Sequence, residues 1–251
     1  MGAGKMGGAL MTGLVQAKYI KAAQLIVKDN SSAESLKKLG YTVVSQASDL
    51  AGCDFIVVAV PPQAVTPVLT ELKAEFQDKN IPILSVAGGF PLEKMQDIMG
   101  QNYPLARCIP NTAVEVCQGT MPMTFSKAIS DSDQEMLEEA MASVGKVFVM
   151  NEKSLEIASS VGGCAPAFTD LYLEALSDAG VMYGLNRAQS YEIAAQMLRG
   201  ASELALQTGE HPGVLKDQVT TPGGSTIKGV VALEQGGFRA AVINAVSATM
   251  E

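Results

Sequence analysis

The chain has 251 residues, 47% of them hydrophobic and 5% aromatic, and a formal net charge of −8. That supplies one or two domains with a sizeable core, and the acidic balance argues against general binding to a nucleic-acid backbone. The four cysteines (Cys53, Cys108, Cys117 and Cys164) form no C-x-x-C pair and His211 is the only histidine, so metal-ligand spacing is absent and reduced thiols in a cytosolic protein are expected.

The chain opens with Met1 and then GAGKMG, which places Gly2, Gly4 and Gly7 in G-x-G-x-x-G spacing. In a dinucleotide-binding turn the first glycine makes the tight bend, the second lets a pyrophosphate approach, and the third lets the helix pack closely. A helix over about residues 5–17 would then present free N–H groups to the anion. Such a turn normally follows a strand, and only Met1 precedes it here, so a sheet without its first strand is expected. Next come a short apolar strand (24–28) ending at Asp29, a helix in SSAESLKKLG capped by Ser31 or Ser32 and closed by Gly40, and a strand in YTVV. DFIVVAV (54–60) is a continuous apolar run, the signature of a strand buried on both faces.

The run from Phe55 to Thr70 contains Pro61, Pro62 and Pro67, which excludes one continuous membrane span. No basic segment followed by an apolar run marks a signal peptide. Further on, a helix in PQAVTPVLTELKAEF, strands in IPILSVAGG and YPLARCIP (103–110), a helix over 131–145 and a strand in KVFVM continue the alternation. Alternating units imply an α/β fold with a parallel sheet covered on both faces, over residues 1–150. From 151 to 251 strand signals vanish. Ala-rich helical segments over 153–183 and 187–207 are followed by a turn-rich stretch and two short helices. In the second segment Tyr191, Ala194, Ala195, Met197, Leu198, Ala201, Leu204 and Ala205 make an apolar arc too broad for a helix pair to bury, so burial against another subunit is expected.

GAGKMG (2–7), ARCIPNTA (106–113), LSDAGVMYGL (176–185) and above all GEHPGVLKDQVTTPGGSTIKG (209–229) resemble the pyrroline-5-carboxylate reductase family. The resemblance implies an N-terminal Rossmann domain over 1–150 and a helical dimerisation and substrate domain over 151–251. It implies a cytoplasmic homodimer, or a decamer, acting on a small molecule and on neither nucleic acid nor membrane. The implied reaction is reduction of 1-pyrroline-5-carboxylate to L-proline by hydride transfer from NADPH or NADH. A protonated cyclic imine is already a good electrophile, which suits a chain without a nucleophile–base constellation.

The substrate carries a carboxylate, and hydroxyls and N–H groups at a helix start form an anion site. By resemblance Thr226 is the hydroxyl near the imine nitrogen, and Gly223, Gly224 and Ser225, with Thr221, hold the carboxylate. The implied cofactor residues are Gly2, Gly4, Lys5, Met6, Gly7, Asp29, Gln46, Ala59, Val60, Pro61 and Asn111. Asn111 and Thr112 follow the end of a strand, where ligands of open sheets gather. Asp29 would favour a free ribose hydroxyl, while Lys28 and Asn30 would favour a phosphate. Arg107 and Lys216 read as surface charges that could attract the anionic substrate, and His211 as structural.

Three positions depart from the family pattern: Pro61 where a lysine is common, Cys164 where a serine is usual, and Gln46 where an asparagine often meets the NADP 2′-phosphate. Two other functions compete. A related 3-hydroxyacid dehydrogenase would carry a helix lysine after a glycine-rich segment, and GGCAPAFTDLYLEAL has none. A non-catalytic nucleotide-binding or scaffold protein would fit the missing strand and Pro61.

Overall fold

The computed structural model describes residues 1–29 and 33–250 and divides into two compact units, 1–163 and 164–251. In chain order the first unit contains α1 (Lys5–Gln16), β1 (Ile26–Lys28), α2 (Ala33–Lys38), β2 (Thr42–Val44), β3 (Ile56–Val58), α3 (Pro62–Phe76), β4 (Ile83–Ser85), α4 (Leu92–Met99), β5 (Leu105–Cys108), β6 (Gly119–Phe125), α5 (Asp131–Ala142), β7 (Gly145–Val149) and α6 (Glu152–Ser159). Asn30, Ser31 and Ser32, and with them the expected cap of α2, lie outside the described residues.

The sheet is in two parts. β1 and β2 form a parallel pair, with Val27 opposite Val43. β3 to β7 form a five-stranded sheet in chain order. The division falls between β1 and β3, where the expected first strand would lie in a doubly wound sheet. Only Met1 and Gly2 bridge the two edges among the described residues. Met1 N donates to Val57 O (2.6 Å), Ala59 N donates to Met1 O (2.8 Å), and Gly2 N donates to Lys28 O (3.0 Å).

The larger sheet is not wholly parallel, contrary to expectation: β6 runs antiparallel to β5, with Arg107 opposite Thr124. GTMPMTF, with a proline in its middle, carries little strand signal. Pro122 is nonetheless accommodated, and its carbonyl accepts from Ile109 N at 3.1 Å. β4 and β5 are buried along their whole length, as expected of strands covered on both faces. On one face Val65, Leu69, Leu72 and Phe76 of α3 pack with Met95 and Met99 of α4. On the other, Leu10 and Leu14 of α1 pack with Leu137 and Met141 of α5. α3 has Pro62 in its first turn, where a missing N–H costs nothing, and its interior Pro67 faces solvent. Ser130 caps α5, its Oγ accepting from Asp133 N at 3.1 Å, with Asp131 and Asp133 complementing the helix dipole.

The second unit is all helical: α7 (Ala165–Met182), α8 (Arg187–Thr208), α9 (Pro212–Gln218), α10 (Ser225–Gln235) and α11 (Phe238–Ala248). The segment expected to be helical over 153–183 is helical throughout, running as α6, a π-helical turn at Ser160–Cys164 and α7, whereas α9 occupies a stretch expected to be turns. α7 and α8 cross where Gly180 meets Ser190: a Cβ on Gly180 would stand 2.1 Å from Ser190 Oγ. Of the expected apolar arc, Ala194 is buried, whereas Tyr191, Met197 and Leu204 are exposed, as are Ile193 and Leu206. Exposed apolar side chains in this number on one helix are the kind of surface that a partner covers. No helix among the described residues is long and apolar enough to cross a membrane.

Candidate functional site

The glycine turn leads from Met1 into α1. Gly2 lies at φ +93°, open to glycine and strained for other residues, and an added Cβ would meet Ala59 O at 2.6 Å. Gly7 packs as tightly: its Cβ would stand 2.4 Å from Gly2 O. Gly4 is the opposite case. It begins α1 with no side-chain cap, and nothing lies within 4 Å of where its Cβ would be. The N–H groups of Lys5, Met6 and Gly7 lie in the first turn, where a helix has no internal acceptors. A groove of about 560 Å³ runs past them, lined by Ala3, Gly4, Lys5, Tyr41, Thr112 and Glu115. Open space at Gly4 and donors at a helix start suit a pyrophosphate.

The neighbouring elements hold this turn in place. Asp29, following β1, accepts a hydrogen bond from Ala3 N at 2.8 Å through Oδ2, so its carboxylate sits against the glycine turn. Lys28 is committed elsewhere, its Nζ 2.9 Å from Glu71 Oε2. Ala59 and Val60 abut Gly2, and Pro61 leads into α3. Gln46 is exposed past the end of β2, where its N–H meets Asp49 Oδ2 at 3.3 Å. Asn111 lies past β5, as expected, but its side chain is already engaged: Nδ2 donates to Gly162 O (2.9 Å) and Oδ1 accepts from Thr120 N (3.3 Å). Tyr41 and Glu115 were not foreseen in this groove. A groove wall has no characteristic spacing, and Glu115 reaches it only because its short 3-10 helix packs on α1.

The second unit carries the other candidate group. Gly223 lies at φ +72°, and Gly224 N donates to Thr221 O at 3.0 Å, closing a turn that leads into α10. Gly224 begins α10 without a side-chain cap, and Ser225 and Thr226 are exposed in its first turn. A side chain on Gly224 would collide with Thr221 Oγ1 at 2.5 Å. Donors and hydroxyls are thus gathered at one helix start, the composition of a carboxylate site.

Other residues singled out from the sequence have different roles. His211 caps α9, its Nδ1 accepting from Gly213 N at 3.0 Å. Arg107 is no surface charge: its side chain is wholly buried and its Nη1 pairs with Glu152 and, at 2.9 Å, with Glu156. Glu152 also accepts from Leu92 N at 2.6 Å, so one guanidinium ties β5, α4 and α6. Lys216 pairs with the adjacent Asp217. Burial raises the Cys108 thiol far above its ordinary range, which leaves it inert. Cys164 is half-buried at the start of α7.

Comparison with known proteins accounts for both units. The family model for pyrroline-5-carboxylate reductase dimerisation matches residues 152–251, and that for NADP oxidoreductase, coenzyme F420-dependent, matches residues 1–87. The pyrroline-5-carboxylate reductase of Methanosarcina acetivorans is 34% identical over 98% of this chain and 92% of its own length. That of Escherichia coli is 34% identical over 100% of this chain and 94% of its own. Among solved structures, Plasmodium falciparum pyrroline carboxylate reductase with NADP bound matches with a TM-score of 0.90 at 31% identity, covering 99% of this chain and 93% of that one. With relatives at this identity aligned from end to end, and a helical half that matches the family's own dimerisation model, the chain belongs to the pyrroline-5-carboxylate reductase family.

Proposed function

We infer that the chain reduces 1-pyrroline-5-carboxylate to L-proline, the last step of proline biosynthesis, using NADPH or NADH. The observation that carries this reading is the uncapped start of α10, where Gly223, Gly224, Ser225 and Thr226 assemble donors for a carboxylate without any acid–base dyad. A reaction on a protonated imine needs that kind of site, because the electrophile requires positioning more than activation.

In this reading the turn at Gly2, Gly4 and Gly7, with the N–H groups of Lys5 and Met6, holds the cofactor pyrophosphate. Asp29, Gln46, Ala59, Val60, Pro61 and Asn111 complete the cofactor site. When bound, the nicotinamide supplies the hydride to the imine carbon. Thr221, Gly223, Gly224 and Ser225 hold the substrate carboxylate, and the Thr226 hydroxyl accepts the iminium N–H and orients the ring. With Lys28 held by Glu71, a 2′-phosphate would depend on other groups near Gln46. Residues 1–150 serve the cofactor, and residues 151–251 serve dimerisation and substrate, in a cytoplasmic homodimer or decamer. The exposed apolar faces of α7 and α8 support the association.

The test is loss of reduced-nicotinamide absorbance with 1-pyrroline-5-carboxylate, with NADPH and NADH assayed separately. Thr226→Ala should lower kcat by about 10–100-fold while leaving NADPH affinity unchanged, as expected for one donor or acceptor acting on the reacting group. A folded, cofactor-binding protein with no turnover on either nucleotide would overturn the reading.

A further inference from the structure

The choice between NADH and NADPH turns on the residues that follow β1 and β2. These strands are parallel, with Lys28 opposite Val44, so Asp29 and Gln46 leave the sheet at the same end. The glycine turn stands at that end too: Asp29 Oδ2 accepts from Ala3 N at 2.8 Å, and Ala3 lines the groove that passes Gly4. A carboxylate is thereby fixed against the turn. In sequence it lies about 20 residues beyond the turn, the spacing at which an acidic side chain meets the adenosine ribose of a dinucleotide.

The cations that would suit a 2′-phosphate are placed elsewhere. Lys28 Nζ is 2.9 Å from Glu71 Oε2, and its side chain keeps only 12% of its exposure. Lys37 and Lys38 lie in the last turn of α2, at the far end of that helix from Asp29. Lys5 lines the groove beside Gly4, on the pyrophosphate side of the turn. Gln46 is neutral, and its N–H donates to Asp49 Oδ2 at 3.3 Å, which brings a second carboxylate to the stretch after β2.

Resting on the cofactor site inferred above, we propose that Asp29 sets the coenzyme preference and that the chain selects NADH over NADPH. A carboxylate offers about four lone-pair sites, so accepting from Ala3 N is compatible with accepting from the hydroxyls of a ribose. Such charge-assisted bonds are strong. A 2′-phosphate replaces one of those hydroxyls with about two negative charges at neutral pH. Set beside Asp29, with Asp49 after the adjoining strand and Lys28 committed to Glu71, it meets like charge. The selectivity therefore has two parts, a bond made to the right ribose and a repulsion against the wrong one.

The test measures Kd for NADH and for NADPH in the absence of imine, from the fluorescence of the bound dihydronicotinamide, in the unchanged chain and in Asp29→Asn and Asp29→Ser. The unchanged chain should bind NADH about tenfold or more tighter than NADPH. Asp29→Asn keeps an acceptor for Ala3 N and removes the charge. It should tighten NADPH by about tenfold and weaken NADH several-fold, and Asp29→Ser should act in the same direction. NADPH bound as tightly as NADH by the unchanged chain would overturn the proposal. So would variants in which the ratio of the two affinities stays the same, since Asp29 would then only prop the glycine turn. Binding of neither nucleotide would overturn the proposal together with the cofactor site. Selective NADH binding without imine reduction would overturn the reaction and leave the preference standing.

Discussion

Gly4 and Gly7 stand three residues apart and have opposite reasons for being glycine. Gly7 is required by the protein itself, since its Cβ would collide with the backbone of Gly2. Gly4 faces open space and lies at an ordinary φ of −65°, so a methyl group there harms only a ligand that approaches closely. Gly4→Ala should therefore keep Tm within about 1 °C and weaken NADPH binding about tenfold or more, read by fluorescence titration. Arg107 is the other informative residue. Its guanidinium is wholly buried, while Glu152 and Glu156 keep 31% and 43% of their side-chain exposure. Removing the cation leaves two carboxylates that water still reaches in part, so Arg107→Met should cost about 2–3 kcal/mol in urea unfolding, below the loss for a fully buried partner. Adding Glu152→Gln and Glu156→Gln should recover part of it, and the coupling measures the pairing itself.

At the scale of elements, what the sequence discloses depends on how local the cause is. α3 is legible because a proline at its first position and a helical apolar period mark it within fifteen residues. β3 is legible from its unbroken apolar run. β6 is not, because Pro122 and two methionines obscure it and its antiparallel pairing with β5 is decided by the sheet. α4 (Leu92–Met99) has no counterpart among the elements expected from the sequence. The same division holds in the candidate site. The glycine turn shows in the sequence because backbone geometry dictates its spacing. The engagement of Asn111 by Gly162, 51 residues away, and of Arg107 by Glu152, 45 residues away, depends on tertiary contacts that carry no local signal. His211 lies between, since a residue just before Pro212 invites a helix start and its cap follows from that position.

For the whole molecule, the join between the two parts of the sheet governs how stability responds to pH. The Met1 amine is held there with its pKa lowered from 8.0 to about 6, chiefly by burial, with Lys28 adding to the shift and Cys53 and Asp29 opposing it. Between these values the unfolded chain binds more protons than the folded one. Stability is therefore complete above pH 8 and falls as pH drops towards 6, by at most about 3 kcal/mol for a two-unit shift. Tm should be several degrees higher at pH 8 than at pH 6, and acetylating the amine should flatten the profile in that window.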